Sequence, residues 1–147
     1  MTPISPIWDS TLQKTNEWLK ALGRELGTTS ASRQLLAFRS VLHALRDRLQ
    51  PDEATELAAQ LPLLLKGVYF DGWRPSATPI KARTVEEFLT LVLRPLPLGT
   101  PADEAEHFTR AVFAVLAERV SSGEVSDVQG MLPAELRALW PERAAAR

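Results

Sequence analysis

Apolar residues recur at helical spacing through most of the chain, and nothing alternates with period two over a useful length. Leu12, Thr15, Trp18, Leu19, Leu22 and Leu26 share one face, predicting a first helix. Ser10 and Gln13 suit a capping box at its start, and Gly27 a left-handed residue at its end. A second helix follows the cap candidates Thr28, Thr29 and Ser30, with Phe38, Val41, Leu42, Leu45 and Leu49 as its inward stripe. Pro51 opens a third, with Asp52 and Glu53 in the first turn, where negative charge suits the helix dipole. Leu61-Pro62 interrupts it near Gln60, because proline lacks the N–H and pushes its predecessor out of α geometry. Leu63 to Val68 resumes it.

The same grammar returns. Thr84 with Glu87 caps a helix carrying Phe88, Leu89, Val92 and Leu93, which stops at Arg94. Thr100-Pro101 starts another, with Phe108, Ala111, Val112, Val115, Leu116 and Val120 inward. Glu124 to Gly130 is a short helix, and Pro133 opens a last one ending near Trp140. An offset of 71 residues, the separation of Pro62 and Pro133, aligns Arg39–Tyr69 with Arg110–Trp140 without a gap. Identities along it are Arg39/Arg110, Val41/Val112, Leu45/Leu116, Arg48/Arg119, Glu53/Glu124, Leu61/Leu132, Pro62/Pro133 and Leu65/Leu136. Glu56/Asp127 keeps the charge.

These patterns predict an all-α fold: a single compact domain of two tandem three-helix repeats, the third helix of each kinked or split at Leu61-Pro62 and Leu132-Pro133. Residues 1–9 read as an extended N-terminal arm that Trp8 pins to the body. The helical domain spans 10–140, as repeat one (10–69), a joint (70–83) and repeat two (84–140), with a frayed tail at 141–147. In the joint, Phe70 and Trp73, with the adjoining Tyr69, fold back into the core, and Ser76 to Arg83 is surface loop. Half a chain of this length is marginal alone, so the repeats share one core.

At Ala58-Ala59-Gln60-Leu61-Pro62, Tyr69-Phe70-Asp71-Gly72-Trp73 and Met131-Leu132-Pro133-Ala134-Glu135-Leu136, the chain resembles the bacterial and archaeal family of domain of unknown function 2267 (DUF2267). The resemblance runs from about Trp18 to Trp140 and includes Glu87-Phe88-Leu89. It implies a duplicated all-helical fold and carries no reaction, ligand or catalytic residue with it. Gly130-Met131, where the first half has Ala59-Gln60, should loosen that helix end.

Composition narrows the function classes. Seventeen Lys and Arg against 18 Asp and Glu leave a net charge of −1, so a nucleic-acid partner is not expected. There is no cysteine, hence no thiolate nucleophile and no disulfide, which favours a reducing, cytoplasmic setting. The opening Met1–Trp8 lacks the basic and apolar regions of a leader, and no run is long enough to span a membrane.

The two histidines lie far apart, and no nucleophile elbow or phosphate-cradling glycine loop occurs. Asp103 and His107 share a face at i,i+4, an ion pair rather than a metal site. No metal, cofactor or catalytic residue is expected, although carboxylates on different helices can still converge. Asp52-Glu53 reads as a helix start. Arg39, His43 and Arg46 form a row on helix two able to meet an anionic partner, against the plainer reading of a solvated face. Tyr69, Phe70 and Trp73 are candidates to line a groove, against the plainer reading of core. The expected function is non-enzymatic protein interaction. The alternative is a small-ligand sensor or carrier with an aromatic pocket at the joint, and behind it a hydrolase or metalloenzyme.

Overall fold

Eight α-helices pack around one apolar core in the computed structural model, which describes residues 5–142. They are α1 (Asp9–Leu26), α2 (Ala31–Arg48), α3 (Pro51–Ala58), α4 (Leu63–Phe70), α5 (Val85–Leu93), α6 (Ala102–Arg119), α7 (Ser122–Gly130) and α8 (Ala134–Arg137). Among the described residues there is no strand, and no helix is long and apolar enough to cross a membrane.

Most ends follow local chemistry. Gly27 closes α1 at φ 78°, a left-handed geometry that glycine adopts without a Cβ penalty. The Ser30 hydroxyl accepts the Arg33 N–H to start α2, and Thr84 with Glu87 makes both bonds of a capping box on α5. Other expected caps are not used. The chain is already helical at Asp9, so Ser10 lies inside α1, and Pro101 rather than Thr100 precedes α6. Pro62 and Pro133 stand just before α4 and α8, so both Leu-Pro steps split a helix rather than kink it. The second piece after Pro133 is a single turn, and looser turns carry the chain to Trp140. α7 holds to Gly130, so Gly130-Met131 does not shorten it.

α6 lies against α1 and α2, and α5 against α2 and α6. The stripes read from sequence point inward: Phe38, Val41, Leu42, Leu45 and Leu49 are fully buried, as are Val112, Val115 and Leu116. Trp140 stacks on Phe113 with ring centroids 4.3 Å apart, and Trp18 tilts against Phe38 at 6.4 Å.

The ends depart from expectation. Residues 1–4 of the expected arm and 143–147 of the expected tail lie outside the described residues. Pro6–Trp8 is a 3-10 turn rather than extended chain, since the φ that proline imposes suits either; the turn lies against α1, and Trp8 is exposed. The joint is tied down rather than a plain loop. The Ile80 N–H reaches the Asp47 carbonyl at 2.6 Å, satisfying an orphan acceptor at the α2 end, and Arg48 Nε donates to the carbonyl of buried Ala82 at 2.7 Å.

Candidate functional site

The row on α2 faces the end of α4. His43 Nε2 lies 2.6 Å from the Val68 carbonyl, and burial first, then Arg46 and Arg39, pulls its pKa below the ordinary value against that hydrogen bond. Arg46 is 5% exposed. Its Nη1 donates to the carbonyls of Tyr69 (2.8 Å) and Asp71 (2.9 Å), and its Nε to Asp47 Oδ1 (2.8 Å). Asp47 Oδ2 takes Arg94 at 3.0 Å. Arg39 pairs with Asp71 at 2.8 Å, and that hydrogen bond holds the Asp71 carboxyl below the usual range. The structure thus gathers Arg39, His43 and Arg46, but spends their donors on the α4 terminus and the joint. A groove of about 480 Å³ opens beside them, lined also by Arg74 and Arg94.

The aromatic candidates are placed differently. Tyr69 is fully buried, its hydroxyl donates to the Ala54 carbonyl at 2.7 Å, and burial raises its pKa. Phe70 packs between Tyr69 (5.3 Å) and Trp73 (5.2 Å), and Phe70 and Trp73 are partly buried against the core. None of the three lines the groove. His107 does not pair with Asp103: its Nε2 reaches the Leu26 carbonyl at 3.2 Å, at the C-terminus of α1.

Two further features stand out. At the start of α4, Leu63 and Leu64 are 52% and 44% exposed. The Leu64 N–H reaches the Thr11 hydroxyl at 3.4 Å, which brings this corner to the start of α1, where Ile7 and Trp8 are also exposed. The other is a carboxylate cluster where α3 meets α7. Glu53 and Glu56, at i,i+3 on α3, and Glu124 and Asp127, at i,i+3 on α7, each bring an oxygen to within 4.8 Å of all the others. Glu53 is 6% and Glu124 9% exposed, and Oε2 of each is buried without a hydrogen-bond partner. Among the described residues no Lys, Arg or His pairs with any of the four. Burial, with Glu53 next, pushes Glu124 up to about 8, and the Glu53 charge raises Glu56. The oxygen-only donor set suits a hard cation.

The family model described as "Uncharacterized conserved protein (DUF2267)" matches residues 15–139. The chain belongs to the DUF2267 family. A search of curated proteins finds no match. In this DUF2267 chain, the four-carboxylate cluster is the feature that sequence reasoning missed. Asp52-Glu53 explained itself as a helix start, and nothing local joined it to Glu124. The signal was the offset of 71, which pairs Glu53 with Glu124 and Glu56 with Asp127 and so keeps an acid at both positions of both halves.

Proposed function

We propose that this chain is a non-enzymatic helical interaction module, built from two copies of a three-helix unit, which holds a protein partner in the cytoplasm. The helix bounds support the two-copy reading. An offset of 71 carries Ala31–Arg48 onto Ala102–Arg119, Pro51 onto Ser122 and Leu63 onto Ala134. The flanking helices have diverged: α5 is half the length of α1, and α8 half that of α4.

The observation that carries the partner reading is the apolar corner. Where the first copy exposes Leu63 and Leu64, the second has Ala134 and Glu135, and the Glu135 carboxylate accepts the Val85 N–H at 3.0 Å. This position in the fold therefore accepts a small and a charged residue, and stability does not call for two leucines in water. Burying a leucine fully is worth about 1.5–3 kcal/mol, which a partner presenting an apolar helix face recovers.

The test is L63A/L64E, which writes the second copy's residues into the first. It should melt within about 2 °C of the parent, as surface changes generally do, and lose a protein that the parent captures from its native lysate. Identical captured sets from parent and variant, or nothing above a control surface from either, overturn the reading.

A further inference from the structure

We infer that the cluster between α3 and α7 is a binding site for one calcium-sized, oxygen-seeking divalent cation, with Glu53 and Glu124 as inner ligands and Glu56 and Asp127 closing it from the solvent side. The inference goes beyond the partner reading and uses different residues, so either can fail alone.

Acidic side chains gather on many surfaces without an ion, and clustering is not the argument. The buried pair is. Carboxylates taken out of water need partners, because an unpaired buried charge is among the costlier features a protein can carry. Glu53 is more than nine-tenths buried and Glu124 about nine-tenths, each has a buried oxygen with no hydrogen-bond partner, and each brings a carboxylate oxygen within 4.8 Å of those of Glu56 and Asp127. A basic side chain would meet the need, yet none reaches them among the described residues. A bound cation answers the unpartnered oxygens and the mutual repulsion together.

The donors define its class. Four carboxylates with no imidazole or thiolate favour calcium, manganese or magnesium over zinc or copper. Ligand number separates the first group. Calcium takes about 6–8 oxygens in flexible geometry, whereas magnesium dehydrates reluctantly and is usually held by only one or two carboxylates. Four carboxylate oxygens within 4.8 Å of one another therefore suit the larger ion. Two exposed carboxylates at the mouth also leave room for water to complete its coordination.

The experiment uses the full chain, stripped of metal, at neutral pH. Calcium is titrated by calorimetry and by thermal shift, with manganese, magnesium and zinc as parallel probes. One calcium per chain is expected, with a melting temperature that climbs with calcium and a weaker response to magnesium. E53Q/E124Q keeps volume and removes both inner charges, and should lose roughly a hundredfold or more in calcium affinity, since ligand charge count sets affinity in such sites. It should also remain folded by circular dichroism without calcium. If it does not fold, E56Q/D127N removes the outer ligands without touching buried groups and should weaken binding at least tenfold, as loss of charged ligands does. No heat and no melting shift with millimolar calcium or manganese overturns the inference. So does calcium binding of parental strength in the variants, which would put the ion elsewhere, or a clear preference for magnesium or zinc.

Discussion

Arg46→Met separates a row of charges that decorates α2 from one that holds the first half together. The guanidinium is 6% exposed as a side chain and makes three charge-assisted hydrogen bonds: two to carbonyls at the α4 terminus and joint, one to Asp47. Methionine fills most of the volume and supplies no donor. Two carbonyls lose a partner, and Asp47, 9% exposed as a side chain, keeps only Arg94. Removing one member of a buried ion pair costs about 3–5 kcal/mol, most of it from what stays behind unpaired. With an unfolding entropy of about 2.1 cal/mol/K per residue over 147 residues, roughly 0.3 kcal/mol/K, the melting temperature should fall by ~10–16 °C. Arg39→Met is the control. Its pair with Asp71 is open to solvent, at 43% and 60% exposure, and its loss should stay within about 1 kcal/mol.

Urea unfolding followed by circular dichroism measures both, with an unchanged m-value as the check that the transition is the same. Adding Asp47→Asn to Arg46→Met should restore about 1–2 kcal/mol, because the stranded charge goes with it. If Arg46→Met and Arg39→Met are equally mild, the bracket between α2 and α4 is not what the distances say, and the row returns to being a free cationic face.

Two more predictions probe packing. Tyr69→Phe removes only the hydroxyl that reaches the Ala54 carbonyl at 2.7 Å and should lower stability by about 1–2 kcal/mol in the same urea assay, where no change would mean the bond carries nothing. Gly23→Ala would set a Cβ 2.6 Å from the Thr28 carbonyl oxygen and against Gln34. Overpacking of about 1–3 kcal/mol should then outweigh a helix-propensity gain of about 1 kcal/mol, and a thermal melt at or above the parent's refutes it.

Helices were legible wherever a period and a cap agreed, as at Thr84–Glu87 and along Phe38 to Leu49. Reading failed where two physical rules allow the same residue. Ser10 is a good cap but also tolerable inside a helix, and only packing decides. His43 and Arg46 sit on the less apolar side of α2, which ordinarily means solvent. Here the fold lays the α4 terminus across them, a contact 23 to 25 residues away in sequence. Joint residues Ile80 and Ala82 look like loop because their role is played by backbone groups, which no side-chain pattern reports.

The two-copy reading gives the carboxylate cluster its reason. On that proposed reading, positions 71 residues apart are counterparts, and where the two copies meet a charge can face its own counterpart. Arg33 and Glu104 are such counterparts, 71 residues apart. They differ in sign, form an ion pair, and Arg33 also lies 5.0 Å over the Phe108 ring. Glu53 and Glu124 are counterparts that have not diverged, and at 4.8 Å or less two like charges repel by about 3.5 kcal/mol or more at an effective dielectric constant of 20. Without a cation, a proton must do the ion's work. Glu124, raised to about 8, then binds a proton in the folded state that the unfolded chain has released above about 4.3. Folded protein holding more protons than unfolded means stability that is full below that lower value and falls as pH rises towards 8. Glu124→Gln removes the titrating group. In metal-free buffer its stability should lie about 1–2 kcal/mol above the parent's at pH 8, less than the whole repulsion because the parent relaxes, and the two should converge near pH 5. Denaturant midpoints across that range decide it: a parent whose stability is flat or rising from pH 5 to 8, or a glutamine variant weaker at pH 8, would mean that the two carboxylates do not oppose each other.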